Sequence, residues 1–330
     1  MRGVREVREA LRSASLVGMA AVLAAAGCAP GPGRVAVPSA MVRPKGVVLR
    51  VQVKEGNARV VREVRLEDYV AATAASEVHP IGEDEALVER MYEVQAVVAR
   101  TYALSNRGRH AKEGFDLCSL THCQLYEPAR LGTSRWAGAV RTAAQRTEGD
   151  VLWFANAPAR AVFHADCGGH TSAAGAVWGG TAPAYLAAKK DSVAEGTAHA
   201  EWTFDSRVES MRLALNSDPR TAVGEKLDEI EVAGRDAAGR AEKIILRGTR
   251  TFVIRGEVFR EVVTRKLGVR TLKSTLFSVK KSRGAFTFTG RGFGHGVGLC
   301  QAGALARLRS GGSPEDVLSF YFPGASVRHQ

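Results

Sequence analysis

Apolar and polar residues alternate along Val47–Val53 and Arg59–Arg65, which is the period of a half-buried β-strand. The turn-forming Glu55-Gly56-Asn57 lies between them, so the pattern predicts a β-hairpin. Apolar residues then recur at helical spacing over Leu66–Val78 and Glu83–Leu104. We therefore expect the hairpin to be followed by a helix and then by a longer one.

Shorter segments of both kinds fill the rest of the chain. Further strands are predicted at Val151–His164 (broken by Asn156-Ala157-Pro158), Glu229–Val232, Lys243–Arg247, Thr251–Ile254, Leu276–Lys280 and Ala285–Thr289. Further helices are predicted at Glu209–Asn216, Glu257–Leu267, Leu299–Ser310 and Pro314–Phe322. Strands and helices do not alternate regularly, so we predict an α+β fold with mainly antiparallel strands and a β-rich subregion at about 225–290.

Glycine occupies every second position from Gly290 to Gly298. In a strand, alternate residues share one face, so one face would be bare backbone and the other would carry side chains such as His295. Such a face admits the close approach of a polymer or of another backbone. A bent strand packed against a helix is the alternative.

The first 45 residues read as an export signal and a tether. Four arginines precede a short apolar run, Leu16–Gly27, which is too short to span a bilayer comfortably. The run ends at Ala25-Ala26-Gly27-Cys28, which resembles the lipobox of bacterial lipoproteins. We expect a lipoprotein-type signal peptide at 1–28, lipidation of Cys28 and a Pro/Gly-rich tether at 29–45. Plain secretion is the alternative, and either way the protein is expected outside the cytoplasm, in the cell envelope.

The formal net charge of +12 over 330 residues favours contact with anionic surfaces such as a cell wall or a membrane. The sequence contains no basic run interleaved with aromatics and no zinc-finger or helix-turn-helix signature, so we expect no nucleic-acid partner.

Glu77 is the first candidate for acid–base chemistry. On a helix from Leu66 it continues an apolar stripe through Val70 and Ala74, and it falls in the last turn. Partial burial and the negative end of the helix dipole both raise the pKa of a carboxyl group. A general acid near neutral pH needs such a pKa, although a frayed surface glutamate has the same pattern.

The following helix is apolar almost all round between Val94 and Leu104, with Gln95 and Arg100 as its exceptions. A buried arginine needs a carboxylate or several carbonyl partners. Glu77 is one candidate partner, and backbone carbonyls are the other.

Four side chains between positions 110 and 123 are suited to zinc: His110, Cys118, His122 and Cys123. A Cys118–Cys123 disulfide is the competing interpretation, because an exported protein with four further cysteines beyond Cys28 admits two disulfides. The loop Phe163–Thr171 combines histidine, aspartate and cysteine, but Cys167 lacks the setting of an activated thiol.

Seven blocks of this sequence together resemble the stage II sporulation protein D (SpoIID/LytB) family over about residues 45–325. They are Leu66–Glu77, Gln95–Ala103, Cys123–Tyr126, Cys167–Thr171 with Trp178, Pro183–Leu186, Leu272–Phe277 and Gly292–Ala304. The domain is therefore placed at 46–325.

The resemblance implies a lytic transglycosylase that cuts the MurNAc–GlcNAc bond of peptidoglycan glycan strands, with a preference for strands stripped of stem peptides. It places the catalytic acid at Glu77 and implies a structural zinc in the region His110–Cys123. Substrate-binding side chains are expected at Gln95, Arg100, Gln124, His170, Thr171, Tyr185, His295 and Gln301. Some family members are described as amidase enhancers, so a binding role beside a cell-wall amidase is the second hypothesis. A zinc-dependent hydrolase is the third.

Overall fold

The computed structural model of the protein describes residues 46–80, 82–192, 197 and 199–330, and these fall within one structural unit. The predicted signal peptide 1–28, the lipidation site Cys28 and the tether 29–45 lie outside the described residues. No helix within the described ranges is both long and apolar enough to cross a membrane.

The helices of the described residues include two from the start of the domain and seven later ones. They are α1 (Leu66–Glu77), α2 (Glu85–Ser105), α3 (Pro128–Thr133), α4 (Ala137–Arg146), α5 (Ala174–Trp178), α6 (Val208–Leu215), α7 (Gly256–Leu267), α8 (Gln301–Arg309) and α9 (Pro314–Tyr321).

The strands are mostly short. They are β1 (Val48–Glu55), β2 (Ala58–Arg65), β3 (Leu117–Cys118), β4 (Asp150–Phe154), β5 (Ala157–Pro158), β6 (Phe163–His164), β7 (His170–Thr171), β8 (Lys189–Lys190), β9 (Trp202–Arg207), β10 (Leu227–Arg235), β11 (Ala241–Gly248), β12 (Phe252–Arg255), β13 (Phe277–Ser282), β14 (Ala285–Gly290), β15 (Leu299–Cys300) and β16 (Ser326–His329).

The strands form several small sheets rather than one large one. Three-stranded sheets have the orders β2-β1-β3, β10-β11-β12, β13-β14-β9 and β16-β4-β5, and two-stranded pairs join β15 to β6 and β7 to β8. Pairing is antiparallel except for β1 with β3 and β15 with β6. The mixed α+β fold with mainly antiparallel strands is therefore confirmed.

The predicted hairpin is present as β1 and β2, which pair in register from Val48 opposite Arg65 to Glu55 opposite Ala58. The chain then enters α1 directly. Helix α2 begins at Glu85, and the side chain of the preceding Asp84 accepts a hydrogen bond from the Leu87 N–H at 2.9 Å. An N-cap of this kind satisfies one of the free donors at a helix start.

The buried apolar residues separate into distinct cores. One core combines α1, α2, α4, α8 and α9, with Val98, Ala143 and Phe322 fully buried among them. A second core lies under the β-rich part, where Phe259 of α7 and Phe288 of β14 are fully buried. This second core already includes Trp202 of β9, which lies before the predicted β-rich subregion.

The alternating glycines were expected in a strand, and this expectation is wrong beyond Gly290. Gly292, Gly294, Gly296 and Gly298 all have positive φ, between 70° and 103°, so their backbone leaves β14 as an irregular segment. Their missing side chains do leave room for a close approach, but the occupant is the protein's own chain. A Cβ atom at these positions would meet the Asp166 carbonyl oxygen at 2.9 Å or the His164 Cβ at 2.7 Å, or would overlap Arg240 or the Val162 carbonyl.

Backbone hydrogen bonds hold this glycine segment (residues 292–298) in place. Asp166 and Phe293 exchange N–H···O bonds of 3.0 and 2.9 Å, the Gly294 N–H donates to the Lys273 carbonyl at 2.8 Å, and the Ser172 N–H donates to the Gly296 carbonyl at 2.7 Å. The segment therefore packs between two other parts of the chain and does not form an exposed glycine face.

Replacing Gly298 tests this packing. Alanine there takes a positive φ of 70° and overlaps the Val162 carbonyl, so we expect Gly298→Ala to lower the free energy of unfolding by about 2–4 kcal/mol. The matched control is Gly311→Ala, which has a φ of 92° but open space around its Cβ and is expected to cost only about 1 kcal/mol. Urea unfolding of both variants measures the difference, and equal losses would contradict the close approach.

Candidate active site and metal centre

Glu77 is the last residue of α1 and lies on the same helix face as Thr73 and Tyr69, one and two turns before it. Its Oε1 accepts a hydrogen bond of 2.5 Å from the backbone N–H of Leu125. Among the described residues no group bonds its Oε2. The carboxyl group is thus anchored through one oxygen and free at the other.

The pKa of Glu77 is raised to about 7: burial raises it most, the Leu125 N–H lowers it in part, and the negative charge of Glu127 adds a smaller upward effect. Burial removes water from the carboxylate and so disfavours its charged form, because Glu77 lies on the apolar side of the helix. Near neutral pH the group is therefore divided between its acid and base forms. This is the protonation behaviour that a single residue needs in order to give and later take a proton.

The segment Gln124–Glu127 runs along α1 beside Glu77. The Glu127 N–H donates to the Ser76 Oγ at 3.0 Å, and the ring of Tyr126 stacks on Tyr69 with centroids 5.1 Å apart. Gln124 is fully buried, and its Oε1 accepts a hydrogen bond from the Tyr69 hydroxyl at 3.1 Å. The Gln124 Nε2 is buried without a partner among the described residues, which leaves one unused donor next to the Glu77 anchor.

Arg100 is fully buried as predicted, but Glu77 is not its partner. Its Nε and Nη2 donate to the two carboxylate oxygens of Glu67 at 2.8 and 2.5 Å, and its Nη1 donates to the Asp150 carbonyl at 3.1 Å. Glu67 lies in the first turn of α1, and its long side chain reaches the guanidinium. A two-oxygen pair of this kind fixes α1 against α2 and leaves the Glu77 carboxyl without a cationic neighbour that would lower its pKa.

Gln95 and Gln301 contact each other. The Gln301 Nε2 donates to the Gln95 Oε1 at 3.2 Å, and the Gln95 Nε2 is buried without a partner in the described part of the chain. The bond joins α2 to the first residue of α8.

Three further predicted substrate-binding residues make other contacts. Thr171 exchanges hydrogen bonds with the backbone of Lys189 at 3.0 and 3.3 Å. Tyr185 is buried in the first core, and its hydroxyl accepts the Arg160 N–H at 2.7 Å. His170 lines a cavity of about 570 Å³ together with Lys190 and Arg291, and Glu77 is not among the lining residues.

His295 belongs to the glycine segment. Its Nδ1 accepts the Val297 N–H at 3.0 Å, and its ring lies 5.4 Å from His164 and 5.1 Å from Trp178 between ring centroids. The pKa of His295 is lowered to about 3, chiefly by burial and to a smaller extent by the charges of Arg260 and Arg240. His295 is therefore a neutral imidazole.

The four predicted metal-ligating residues converge. His110, Cys118, His122 and Cys123 each bring one ligand atom to within 4.8 Å of the others. The Cys123 Sγ lies 3.4 Å from the His110 Nε2 and 3.8 Å from the His122 Nδ1, which lies 3.9 Å from the Cys118 Sγ. Sulfur and nitrogen ligands of a tetrahedral zinc ion are about 3.5 Å apart, so the donor set fits zinc.

Neighbouring groups orient the first of these ligands. The His110 Nδ1 lies 2.6 Å from a carboxylate oxygen of Glu113, and the His110 ring stacks on Phe115 with centroids 4.6 Å apart. A carboxylate behind a histidine fixes the tautomer that leaves Nε2 free for a metal. Cys118 and Cys123 are both free thiols, so the alternative of a disulfide between them is not what the structure contains.

Sequence reasoning missed the groups that act through the backbone or at long range. Leu125, Glu67 and Glu113 carried no signal of their own, because an apolar residue and two ordinary glutamates do not identify a partner. The only available indication was that Leu125 lies two residues after Cys123, in the same block.

Comparison with known proteins supports a family assignment. A family model described as Stage II sporulation protein (SpoIID) matches residues 54–154, and a model described as a domain of unknown function (DUF8618) matches residues 181–298. The chain is 27% identical over 279 residues to stage II sporulation protein D of Bacillus subtilis (strain 168), which covers 81% of this chain and 75% of that protein. It is 28% identical over 280 residues to the protein of the same name from Bacillus amyloliquefaciens.

A third relative is an amidase enhancer of Bacillus subtilis (strain 168), 27% identical over 273 residues. The match covers 71% of this chain and only 37% of that relative, so the chain spans little more than a third of its length. The SpoIID match includes Glu77, Arg100 and all four residues of the metal-ligand cluster. By its sequence blocks and by these matches, the chain is similar to the stage II sporulation protein D family over most of its length.

Proposed function

We propose that this protein is an exported lytic transglycosylase that cleaves MurNAc–GlcNAc bonds of peptidoglycan glycan strands. The observation that carries the proposal is Glu77, a carboxyl group at the end of α1 with a pKa of about 7, one anchored oxygen and one free oxygen. The names of its relatives, which refer to sporulation and to an amidase enhancer, support a role at the cell wall.

One such carboxyl group is enough for the reaction. In its acid form Glu77 donates a proton to the glycosidic oxygen, so the leaving GlcNAc departs as an alcohol while positive charge develops at the anomeric carbon. The resulting carboxylate then takes the proton from the MurNAc 6-hydroxyl, whose oxygen bonds to the anomeric carbon and closes a 1,6-anhydro ring. Glu77 ends the cycle protonated, and neither water nor a second carboxylate is consumed, unlike in hydrolytic glycosidases.

The hydrogen bond from Leu125 orients this proton transfer. Because Leu125 donates to Oε1, the transferable proton is directed to Oε2, the oxygen without a protein partner among the described residues. We place the glycosidic oxygen at Oε2. Gln124, Gln95 and Gln301 are the amide groups that we propose for substrate recognition, since two of them have buried unpaired Nε2 donors.

Zinc has a structural role in this proposal. The ion would be held by His110, Cys118, His122 and Cys123. It would cross-link the loop and would take no part in the glycan chemistry. Cys123 is two residues before Leu125, so the cross-link would fix the backbone N–H that anchors Glu77.

A binding role is the second candidate. The relative named amidase enhancer favours an activator that binds peptidoglycan and assists an amidase without cutting glycan itself. Under that hypothesis, Glu77 is dispensable for binding to peptidoglycan and for the activation of the amidase. Membrane attachment through a lipid on Cys28 is part of either proposal.

Replacement of the acid distinguishes the two candidates. We expect Glu77→Gln to lower the release of 1,6-anhydro products from denuded glycan strands by at least about 100-fold, because the amide cannot give or take the proton. Mass spectrometry of the strands after incubation measures these products, and Glu63→Gln on the exposed surface of β2 is the matched control. Equal product release by Glu77→Gln and wild type excludes catalysis by Glu77. Binding to sacculi without any glycan cleavage by wild type favours the enhancer.

The raised pKa of Glu77 also predicts how stability changes with pH. The folded protein holds the proton up to about pH 7, whereas the unfolded chain releases it near 4.5. Stability is therefore lost as pH rises between these two values, by up to about 3 kcal/mol. We expect Glu77→Gln to unfold at higher urea concentration than wild type at pH 8 and at the same concentration at pH 4. A variant that is no more stable than wild type at pH 8 would contradict the burial of an ionisable carboxyl group.

Removal of the metal tests the zinc proposal separately. We expect purified protein to contain one zinc per chain at this cluster and Cys118→Ser to lose it. The thermal midpoint should fall because the cross-link between His110 and Cys123 is lost. Elemental analysis and thermal unfolding with and without a chelator measure both effects, and Cys118→Ser with unchanged zinc content rules the assignment out.

A further inference from the structure

His164, Cys167 and Cys300 form a second cluster of soft ligands outside the groups described so far. One ring nitrogen of His164 and the two sulfur atoms lie within 4.8 Å of one another, and all three residues are buried. His164 and Cys300 are register partners in the parallel pair of β6 with β15, so their side chains share a face. Neither the glycan chemistry nor the zinc site uses them.

Backbone amides surround the two sulfur atoms. The Cys300 Sγ accepts N–H groups from Cys167 at 3.2 Å and from Gly303 at 3.3 Å, and the Cys167 Sγ accepts the Gly169 N–H at 3.3 Å. Cys300 is also the N-cap of α8, where the positive end of the helix dipole favours an anion. Such donors stabilise thiolates rather than neutral thiols.

His164 has the arrangement of a metal-binding histidine. Its Nδ1 lies 3.1 Å from the carbonyl oxygen of Val297, which can only accept, so Nδ1 carries the proton. The other nitrogen, Nε2, is then an acceptor, and it is buried without a partner among the described residues. Metal-bound histidines usually donate their second nitrogen to a carbonyl or a carboxylate in this way.

The number of ligands and the nearby charge select the ion. The fully buried Asp191 lies 3.7 Å from the Cys167 Sγ, but it is not part of the ligand cluster. Its oxygens already accept hydrogen bonds from the Tyr321 hydroxyl at 2.5 Å and from Arg307 at 2.8 Å. Zinc takes a fourth ligand, whereas two thiolates and one imidazole suit Cu(I).

Arg240 completes the charge balance. It is almost fully buried, and its Nη1 and Nη2 donate to the carbonyls of Gly294 at 3.2 Å and Cys167 at 2.8 Å, while Nε has no partner in the described part of the chain. Among the described residues the guanidinium thus bonds no carboxylate, while the Arg240 backbone N–H donates to the Asp236 Oδ1 at 2.8 Å. Two thiolates with one monovalent cation leave one negative charge, which the guanidinium neutralises.

We propose that His164, Cys167 and Cys300 bind Cu(I), a soft monovalent cation, through one imidazole nitrogen and two thiolates. Binding releases the two thiol protons to solvent, and the ion keeps its oxidation state. Since the ligands are buried, the ion enters while the chain folds. It would tie β6 and the turn after it to the start of α8, directly behind the glycine segment.

The test compares wild type with Cys300→Ser. Serine is also a good N-cap, so this variant keeps the start of α8 and loses only a soft ligand. The full chain is unfolded with a thiol reductant and refolded anaerobically with one equivalent of zinc and excess Cu(I) in acetonitrile solution. It is then challenged with the Cu(I) chelator bicinchoninate. We expect wild type to retain one copper per chain more than Cys300→Ser, with an affinity at least about 100-fold higher.

Two further measurements decide the outcome. X-ray absorption at the copper edge should show two sulfur neighbours and one nitrogen in wild type, and the His164→Gln variant should lose the nitrogen if Cys300→Ser does not fold. Equal copper content in wild type and variant overturns the proposal. It is also overturned by a second zinc per chain in place of copper, or by a mass two hydrogens below that of the reduced protein, which would reveal a Cys167–Cys300 disulfide.

Discussion

The close packing of the glycine segment against residues 162–166 and Arg240 is the constraint on which the rest of the structure depends. Only glycine fits at Gly294, Gly296 and Gly298, because His164, Arg240 and the Val162 carbonyl occupy the space of a side chain. Arg240 comes from the β-rich part and donates to carbonyls of both the glycine segment and the Cys167 turn. The contact therefore joins parts of the chain that have separate hydrophobic cores, using backbone where side chains would not fit.

The two glutamates of α1 that lie against the helical core differ in their electrostatic surroundings. Arg100 and Glu67 neutralise each other through two short hydrogen bonds, so their charges stabilise the packing of α1 on α2. Within the described part of the chain, Glu77 has no such partner and receives one backbone N–H. The same helix thus carries one glutamate paired with an arginine near its start and one with a raised pKa at its end. The difference arises from the contacts of each side chain, since the residue type is the same.

Local patterns predicted much of the fold. The hairpin, α1, α2, α6, α7 and the strands β10 to β14 lie within a few residues of their predicted bounds, because each has a clear period and a turn or cap at its end. Strands of two residues such as β3 and β15 have no period to detect and exist through pairing with distant partners. The irregular backbone of the glycine segment could not be predicted, because the alternation of glycines does not reveal their φ angles.

Some residues of the candidate site could likewise be predicted from the sequence, and others could not. Glu77 and the four candidate metal ligands could be singled out from their residue types and spacing, and the structure brings the four candidate ligands together. The partner of Arg100 could not be singled out, since the reach of a glutamate around a helix depends on side-chain conformation. Thr171 and Tyr185 make backbone contacts that sequence cannot distinguish from contacts with a ligand.

The anchor of Glu77 has an evolutionary consequence. Its donor is the main chain of Leu125, and every amino acid except proline supplies the same N–H. Substitutions at position 125 can therefore accumulate without removing the hydrogen bond, while the position itself must keep its place along α1. Relatives that differ at this residue can still hold their glutamate in the same way, and a proline there would mark a member that has lost the anchor.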